Sequence, residues 1–153
     1  MNIKEKIVHT LTEMAAGLRE LQDECFVIGS SALVLSDVKI AETHDIDLLT
    51  SVRDADLLKK IWAGRGRDTY RPDGGERFRS NFARFAFTYL DVEVMGGLEV
   101  FHGQQWNKLQ IEEYDVVSVT EYLNVKIPTR KESARILLFF DRDKDIAKLH
   151  LLG

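Results

Sequence analysis

Two aspartates one residue apart, Asp45 and Asp47, are the side chains of this sequence best placed to do chemistry. They lie in the segment DIDLLT, which begins by alternating acidic and apolar residues, as a strand with two different faces does. Side chains two positions apart on a strand share a face, so the two carboxylates repel each other unless a cation lies between them. Mg²⁺ commonly binds one or two carboxylates together with substrate phosphates. The spacing therefore indicates either a magnesium site or a pair of solvated acids, because Asp-x-Asp is also frequent by chance.

A second acidic pair, Asp91 and Glu93, follows on another predicted strand. If the two strands are neighbours, three or four carboxylates converge, which is enough to hold two metal ions for an in-line displacement at phosphorus. The alternative is that this pair lies on the outer face of a hairpin strand. Phe85, Phe87 and Tyr89 share its parity, however, so this face is not simply exposed to solvent.

A possible phosphate-binding turn precedes the first acidic pair by about fifteen residues. There the apolar run from Cys25 to Ile28 ends at Gly29-Ser30. Glycine lets the backbone approach a phosphate, and the N-terminus of a following helix offers free N–H groups. Near the other end of the chain, Lys144 is expected to reach a phosphate or an acid, the alternative being a solvated helix end.

The elements that must position these residues follow from periodicity and from glycine and proline punctuation. Together they predict an α/β (α+β) fold, a mixed sheet covered mostly on one face by helices, with residues 1–153 forming a single domain. Ser30 or Ser31 is expected to cap the short second helix and Asp143 the last one. The predicted helices cover 3–22, 32–35, 53–63, a segment from about 129, and 143–152. The predicted strands are 25–28, 45–50, one or two within 82–95, 98–101 after a Gly96-Gly97 hairpin turn, and 114–119, with a loop over 64–76.

Composition narrows the class of protein. The net charge of −4 gives no general electrostatic case for duplex nucleic acid. Cys25 is the only cysteine, so it forms no intramolecular disulfide, a zinc site built on several thiolates is excluded, and a place in the core is expected. The sequence has no long apolar run and no secretory signal pattern, so we expect no membrane insertion and a cytoplasmic location. Six arginines form a local basic stretch, most simply a solvated face: Arg65, Arg67, Arg71, Arg77, Arg79 and Arg84.

The segment FVIGSSAL, followed by THDIDLL, resembles the signature of the nucleotidyltransferase superfamily. It is most similar to the branch of small bacterial proteins related to abortive-infection toxins and antibiotic nucleotidyltransferases. The segment RDKDI near the C-terminus is similar to a helix start of that branch. The resemblance implies a nucleotidyltransferase-like mixed sheet flanked by helices.

The resemblance also implies an activity, the transfer of a nucleoside monophosphate from a nucleoside triphosphate such as ATP, with two Mg²⁺ ions. The acceptor would be a hydroxyl of a small molecule, an RNA end or a protein. By position in the motif, Gly29 and Ser30 would hold the triphosphate, with Lys144 beside it. Asp45 and Asp47 would be catalytic metal ligands. The third catalytic carboxylate, which would bind the second metal ion and help to activate the attacking hydroxyl, would be Asp91, with Glu93 as the alternate metal ligand.

A second hypothesis comes from a different class of function. The chain would keep the fold with weak or no catalysis and act as an antitoxin-like or regulatory module of a toxin–antitoxin system. It would then bind a protein partner or a second copy of itself. Binding of nucleoside triphosphate that requires Mg²⁺ would favour the enzyme over this module.

Overall fold

The computed structural model describes residues 1–67 and 77–152. Within these ranges the helices are α1 (Ile3–Leu18), α2 (Gly29–Leu35), α3 (Val52–Ile61), α4 (Arg130–Phe140) and α5 (Asp143–Leu151). The strands are β1 (Phe26–Ile28), β2 (Asp45–Thr50), β3 (Phe78–Ala86), β4 (Asp91–His102), β5 (Gln105–Lys108), β6 (Tyr114–Thr120) and β7 (Leu123–Pro128). None of the helices in these ranges is long and apolar enough to cross a membrane.

The strands form a mixed sheet, which confirms the predicted α+β class. Its order is β1-β2-β4-β3, with β5 added along the distal part of β4, while β6 and β7 pair as a separate hairpin. β1 and β3 run antiparallel to their neighbours, but β2 and β4 are parallel. A parallel pair needs a crossover connection, and here α3 and β3 supply it. The two acidic segments are thereby brought side by side.

Apolar residues of opposite parity build a core on each face of the sheet. On one face, Ile46 and Leu48 of β2 pack in the larger core cluster with residues of α1 and α3. On the other face, a smaller cluster joins Leu49 and Leu98 to Ile136 of α4. Helices therefore flank both faces, and the acidic side chains share the parity of Leu49 rather than that of the larger core.

The predicted hairpin turn at Gly96-Gly97 is wrong, because both glycines lie inside β4. Gly96 serves close packing instead, since a Cβ there would lie 2.6 Å from Cβ of Ala55 on α3. Gly97 has φ +62° and a Cβ there would meet Val52 at 2.7 Å. The chain reverses earlier, over residues 87–90, so that the segment 82–95 belongs to two strands.

Several helix ends differ from the predicted ones. α1 ends at Leu18, and the N–H groups of Gln22 and Asp23 donate to the carboxylate of Asp54. α2 begins at Gly29, so neither predicted serine caps it. α5 has Arg142 rather than Asp143 at its N-cap.

Some side chains that were expected on buried helix faces lie at the surface. Ile61 is 40% exposed and Leu138 is 57% exposed. On α4, Leu137 is buried as predicted, and Ile136 and Phe140 complete the buried apolar surface. Cys25 packs at the edge of the larger core rather than inside it.

The predicted loop over 64–76 falls mostly outside the described residues. Its first part is a short 3₁₀ helix at Ala63–Arg65, followed by an isolated bridge between Gly66 and Phe85. Arg71 and the rest of 68–76 are not described.

Candidate active site

The parallel register of β2 and β4 places the two acidic pairs next to each other. Asp45 lies opposite Asp91, and Asp47 lies opposite Glu93. Because these residues are spaced by two on each strand, all four share one face of the sheet. This face borders a cleft of about 660 Å³ that α4 and α5 also line. Asp45, Asp47 and Glu93 line the cleft, together with Gly29 and Ser30.

Two hydroxyl groups position the start of β2. The backbone carbonyl of Asp45 accepts a hydrogen bond of 3.0 Å from Oγ of Ser31 and one of 3.2 Å from Oγ1 of Thr43. Ser31, expected as a helix cap, therefore ties the first turn of α2 to the first residue of β2. This hydrogen bond fixes the position of the Gly29-Ser30 turn relative to the acidic pair.

Gly29 makes the close approach between that turn and Asp47 possible. It has φ +70°, a conformation that glycine adopts without steric cost. A Cβ at this position would lie 2.7 Å from Oδ2 of Asp47, closer than such atoms pack. The antiparallel register of β1 and β2, which sets Ile28 opposite Asp47, produces this proximity. Two separate constraints thus require glycine at position 29.

The carboxyls of Asp47 and Glu93 form a coupled pair. Burial, followed by the negative charges of Asp45 and Glu93, raises the pKa of Asp47 to about 8. Burial and the charge of Asp45 also raise the pKa of Glu93, against the opposing effects of Arg84 and Lys144. Like charges held this close favour a shared proton or a bound cation.

Arg84 of β3 lies close to carboxylates of two strands, β4 and β2. Its Nη1 lies 2.5 Å from Oε1 of Glu93 and 3.9 Å from Oδ2 of Asp45. Its Nη2 and Nε donate to Oδ2 of Asp91 at 3.1 and 3.3 Å. Arg67 adds a contact of 3.2 Å to Oδ1 of Asp91. Asp91, predicted as the third catalytic carboxylate, is therefore held by two arginines, and Glu93 takes the place beside Asp47.

The chemistry of this donor set fits a divalent cation. Within the described ranges no three acidic, histidine or cysteine side chains already converge as a complete ligand set. Mg²⁺ needs fewer protein ligands than that, because substrate phosphates and water complete its coordination. The carboxylates of Asp45 and Asp47 share a face, and the raised pKa of Asp47 reflects the charge that a cation would balance.

Two lysines of α5 provide positive charge on the opposite side of the cleft. Lys144 and Lys148 both line it, and their charges act on Glu93 and Asp47 respectively. Burial lowers the pKa of Lys148, an effect that the carboxylates of Asp145 and Asp47 partly offset. A desolvated ammonium in such a place suits an anionic ligand. The cleft therefore contains both acidic side chains and lysines.

An ion pair with a buried carboxylate caps the first turn of α5. Arg142 at the N-cap donates from Nε to Oδ2 of Asp145 at 2.6 Å and from Nη2 to Oδ1 at 3.0 Å. Its guanidinium also lies 4.9 Å from the ring centroid of Phe78 and 5.5 Å from that of Phe140. The ion pair therefore fixes the first turn of α5, and the contacts of the guanidinium with Phe78 of β3 and Phe140 of α4 join this turn to the sheet and to α4.

The far part of the cleft is apolar. β3 and β4 contribute aromatic and aliphatic side chains, and α4 faces them across the opening. The cleft therefore has a mixed lining, in which these apolar side chains accompany the acidic and basic ones. The apolar residues that line it are Phe78, Phe82, Met95, Leu98, Ile136, Leu137 and Phe140.

Sequence reasoning did not single out Lys148 or Arg84 for the site. Lys148 follows Lys144 by four residues, a spacing that places both on one side of a helix, so this signal was available. Arg84 was grouped with a solvated basic stretch. Its parity on β3 pointed to the acidic face, but only the strand register shows that it lies opposite Glu93.

Solved structures with the same fold include three nucleotidyltransferases. A proposed nucleotidyltransferase from Thermotoga maritima superimposes with a TM-score of 0.77 at 20% identity, over 97% of this chain and 93% of that one. The lincosamide antibiotic adenylyltransferase LnuA, solved with lincomycin, gives 0.59 at 11% identity over 97% and 94%. ANT(2″)-Ia, solved with adenylyl-2″-tobramycin, gives 0.56 at 14% identity over 95% and 86%.

These likenesses rest on structure rather than on sequence. No protein-family model matches the chain, and no curated protein matches it in sequence. The agreement nevertheless extends over nearly the whole of each chain compared. The protein therefore has the nucleotidyltransferase fold.

Proposed function

We propose that the protein is an Mg²⁺-dependent nucleotidyltransferase that transfers a nucleoside monophosphate from a nucleoside triphosphate to a hydroxyl group. One observation carries the proposal: Asp45, Asp47 and Glu93 line the same cleft as the Gly29 turn and two lysines of α5. Carboxylates on one side and ammonium groups on the other match a metal–triphosphate complex. The shared fold of the three nucleotidyltransferases supports this reading.

Asp45 and Asp47 would hold the divalent cation. When bound, this ion would neutralise phosphate charge and polarise the phosphorus under attack. The protein's own contribution is orientation, because Ser31 and Thr43 position Asp45 and Gly29 leaves room for the carboxylate of Asp47. Well-oriented groups of this kind contribute through positioning and charge stabilisation.

The triphosphate would lie between the Gly29-Ser30 turn and α5. The backbone at Gly29 can approach a phosphate closely because this residue carries no side chain. Lys144 and Lys148 would pair with phosphate oxygens as point charges. The Arg142 guanidinium, which stacks near Phe78 and Phe140, would help to keep the first turn of α5 in place while the ligand enters.

The chemical step is an in-line displacement at the α-phosphorus. The acceptor oxygen forms a bond to this phosphorus while the bond to the oxygen that bridges to the β-phosphate breaks, and pyrophosphate leaves with the electron pair. The acceptor hydroxyl would lose its proton to Glu93, because burial and the charge of Asp45 raise the pKa of this carboxyl and so make it a stronger base than a solvated glutamate. Lys144 and Lys148 would stabilise the charge that develops on the leaving group.

The acceptor is proposed to be a small molecule with a free hydroxyl. The apolar part of the cleft, which includes Phe82 and Met95, is continuous with the acidic edge and offers a surface for a partly apolar molecule. Among the structural neighbours, LnuA was solved with lincomycin and ANT(2″)-Ia with adenylyl-2″-tobramycin. RNA ends and protein hydroxyls are the competing acceptors that the experiment must separate.

Product analysis by mass spectrometry tests this function. The protein is incubated with the four ribonucleoside triphosphates, Mg²⁺ and separate small-molecule, RNA and protein fractions of a bacterial extract. A gain of one nucleoside monophosphate in one fraction, with release of pyrophosphate, is expected. Omission of Mg²⁺ should abolish both signals.

Two variants complete the test. Asp47→Asn should lose transfer while it stays folded, and Asp115→Asn, at an exposed position of β6 outside the cleft, should behave as the wild type. Normal transfer by folded Asp47→Asn would contradict the site. If no nucleoside triphosphate stabilises the wild type in the presence of Mg²⁺, the binding-module hypothesis takes the leading place.

A further inference from the structure

Arg84 contacts the two carboxylates, Asp91 and Glu93, that were expected to bind a second divalent ion. Its guanidinium contacts Glu93 at 2.5 Å and Asp91 at 3.1 Å, and reaches to 3.9 Å from Asp45. In two-metal sites the ions lie about 3.5–4 Å apart and share carboxylates of this kind. We propose that Arg84 is the second cation of this site, so that the protein works with one divalent ion at Asp45 and Asp47.

The position of Arg84 is set by the sheet and not by a flexible surface contact. Arg84 lies directly opposite Glu93 in the antiparallel register of β3 and β4. Its side chain is only 16% exposed, and Asp91 accepts two hydrogen bonds from it. Arg67 holds the other oxygen of Asp91. The guanidinium is therefore oriented from several sides before any ligand binds.

Charge and hydrogen bonding explain why Arg84 can take this role. Arginine does not lose its proton in proteins, so its positive charge is permanent. Oε1 of Glu93 and Oδ2 of Asp91 already accept hydrogen bonds from Arg84, so both carboxylates have a positively charged partner without a second ion. The fixed positive charge also repels a second divalent ion.

This inference rests on the proposed nucleotidyl transfer and changes the number of divalent ions that the reaction uses. The sequence motif implied two Mg²⁺ ions, with the third carboxylate as a ligand of the second ion. In the arrangement proposed here, the third carboxylate holds a guanidinium, and Arg84 acts as a positioning residue for Glu93. The acceptor oxygen would then approach beside a fixed cation of the protein.

Counting bound Mn²⁺ by electron paramagnetic resonance tests the assignment. Mn²⁺ is titrated into the full chain in the presence of a non-hydrolysable analogue of ATP, and the loss of the free-ion signal is measured. The wild type should bind one Mn²⁺ per nucleotide-loaded chain. Arg84→Gln should bind two, with the line broadening that two neighbouring paramagnetic ions cause.

Two further variants keep the result interpretable. Arg53→Gln removes an arginine that pairs with Asp23 outside the cleft, and should leave the count at one. Arg84→Lys keeps a positive charge at the site and should also bind one ion. Two ions in the wild type would overturn the inference even if Arg84→Gln did not fold, and so would an unchanged count in folded Arg84→Gln.

The same titration separates this inference from the function on which it rests. A wild type that binds no Mn²⁺ with the nucleotide analogue would remove both. A wild type that binds two and transfers nucleotide would leave the function intact and remove only the role of Arg84.

Discussion

Gly29 and Asp47 lie so close across the β1–β2 pair that a Cβ on the glycine would come within 2.7 Å of the aspartate Oδ2. The glycine also has φ +70°. The turn that would receive phosphate and the carboxylate that would hold the cation are thus in direct contact. A change at either residue is expected to disturb the other.

Gly29→Ala should therefore damage both stability and ligand binding. The positive φ alone costs an L-residue about 1–2 kcal/mol, and displacement of Asp47 adds to it. For a chain of this size, each kcal/mol lowers the melting temperature by about 2–4 °C. We expect a fall of several degrees and loss of nucleotide-dependent Mg²⁺ stabilisation in a thermal-shift assay.

Gly103→Ala is the matched control for that prediction. Gly103 has φ +61°, but a Cβ there would meet nothing within 4 Å. It should show the backbone cost alone, with full ligand stabilisation. Equal behaviour of the two variants in ligand binding would contradict a specific role for the contact between Gly29 and Asp47.

Asp47→Asn should stabilise the protein while it removes activity. Between the unperturbed pKa of 3.8 and about 8, the folded state holds a proton on Asp47 that the unfolded state has lost. Stability contributed by this proton is present at low pH and is lost as the pH rises through that window. Asparagine carries no such charge, so the difference in free energy of unfolding between Asp47→Asn and the wild type should grow from pH 5 to pH 8.

The expected gain of Asp47→Asn is about 1–2 kcal/mol at pH 8, in the range of other stabilising changes at functional sites. Urea unfolding at both pH values without divalent ions measures it. Asp115→Asn, at an exposed strand position, should show no pH-dependent difference from the wild type. A less stable Asp47→Asn at pH 8 would show that repulsion among the acids is not the dominant effect.

The sequence alone was enough to predict the elements that carry the first half of the candidate site. β2 has the predicted bounds, Asp45–Thr50, because alternation of acidic and apolar residues is a direct signature of a strand with two faces. The end of the first strand before Gly29 was also predicted, because glycine follows an apolar run there. Both features depend on neighbours within a few residues, which is the range over which sequence patterns are informative.

The second half of the site depended on information that one strand does not carry. Asp91 and Glu93 have the same parity, so either could have faced Asp47, and the register of β2 with β4 selects Glu93. The pairing of Arg84 with Glu93 could not be predicted either, because it depends on the register of β3 with β4. The hairpin turn at Gly96-Gly97 was predicted wrongly because the sequence pattern is the same whether two glycines form a turn or leave room for a helix to pack against the strand.

Gly96→Ala tests the packing interpretation of that glycine pair. A Cβ at Gly96 would lie 2.6 Å from Cβ of Ala55 and 2.9 Å from the carbonyl oxygen of Ser51. Overpacking of this kind typically costs about 1–3 kcal/mol. We expect a corresponding loss in urea unfolding, because α3 must move away from β4.

Gly66→Ala provides the comparison for Gly96→Ala. Gly66 has φ −58°, and the nearest atom to an added Cβ is the carbonyl oxygen of Ala63 at 3.9 Å. Its stability should stay within about 0.5 kcal/mol of the wild type. Equal unfolding curves for the two variants would refute the packing role of Gly96.

Lys148→Met should weaken the binding of nucleoside triphosphate much more than it affects the fold. Lys148 is partly buried in the cleft wall, where burial lowers its pKa and the carboxylates of Asp145 and Asp47 act in the opposite direction. Hydrogen bonds to charged groups contribute about 1.5–3 kcal/mol, which corresponds to about a ten- to hundredfold rise in Kd. Isothermal titration with a non-hydrolysable analogue of ATP and Mg²⁺ measures it. Lys131→Met, at an exposed position of α4 outside the cleft, should bind as the wild type does, and equal affinity of both variants would exclude Lys148 from the phosphate site.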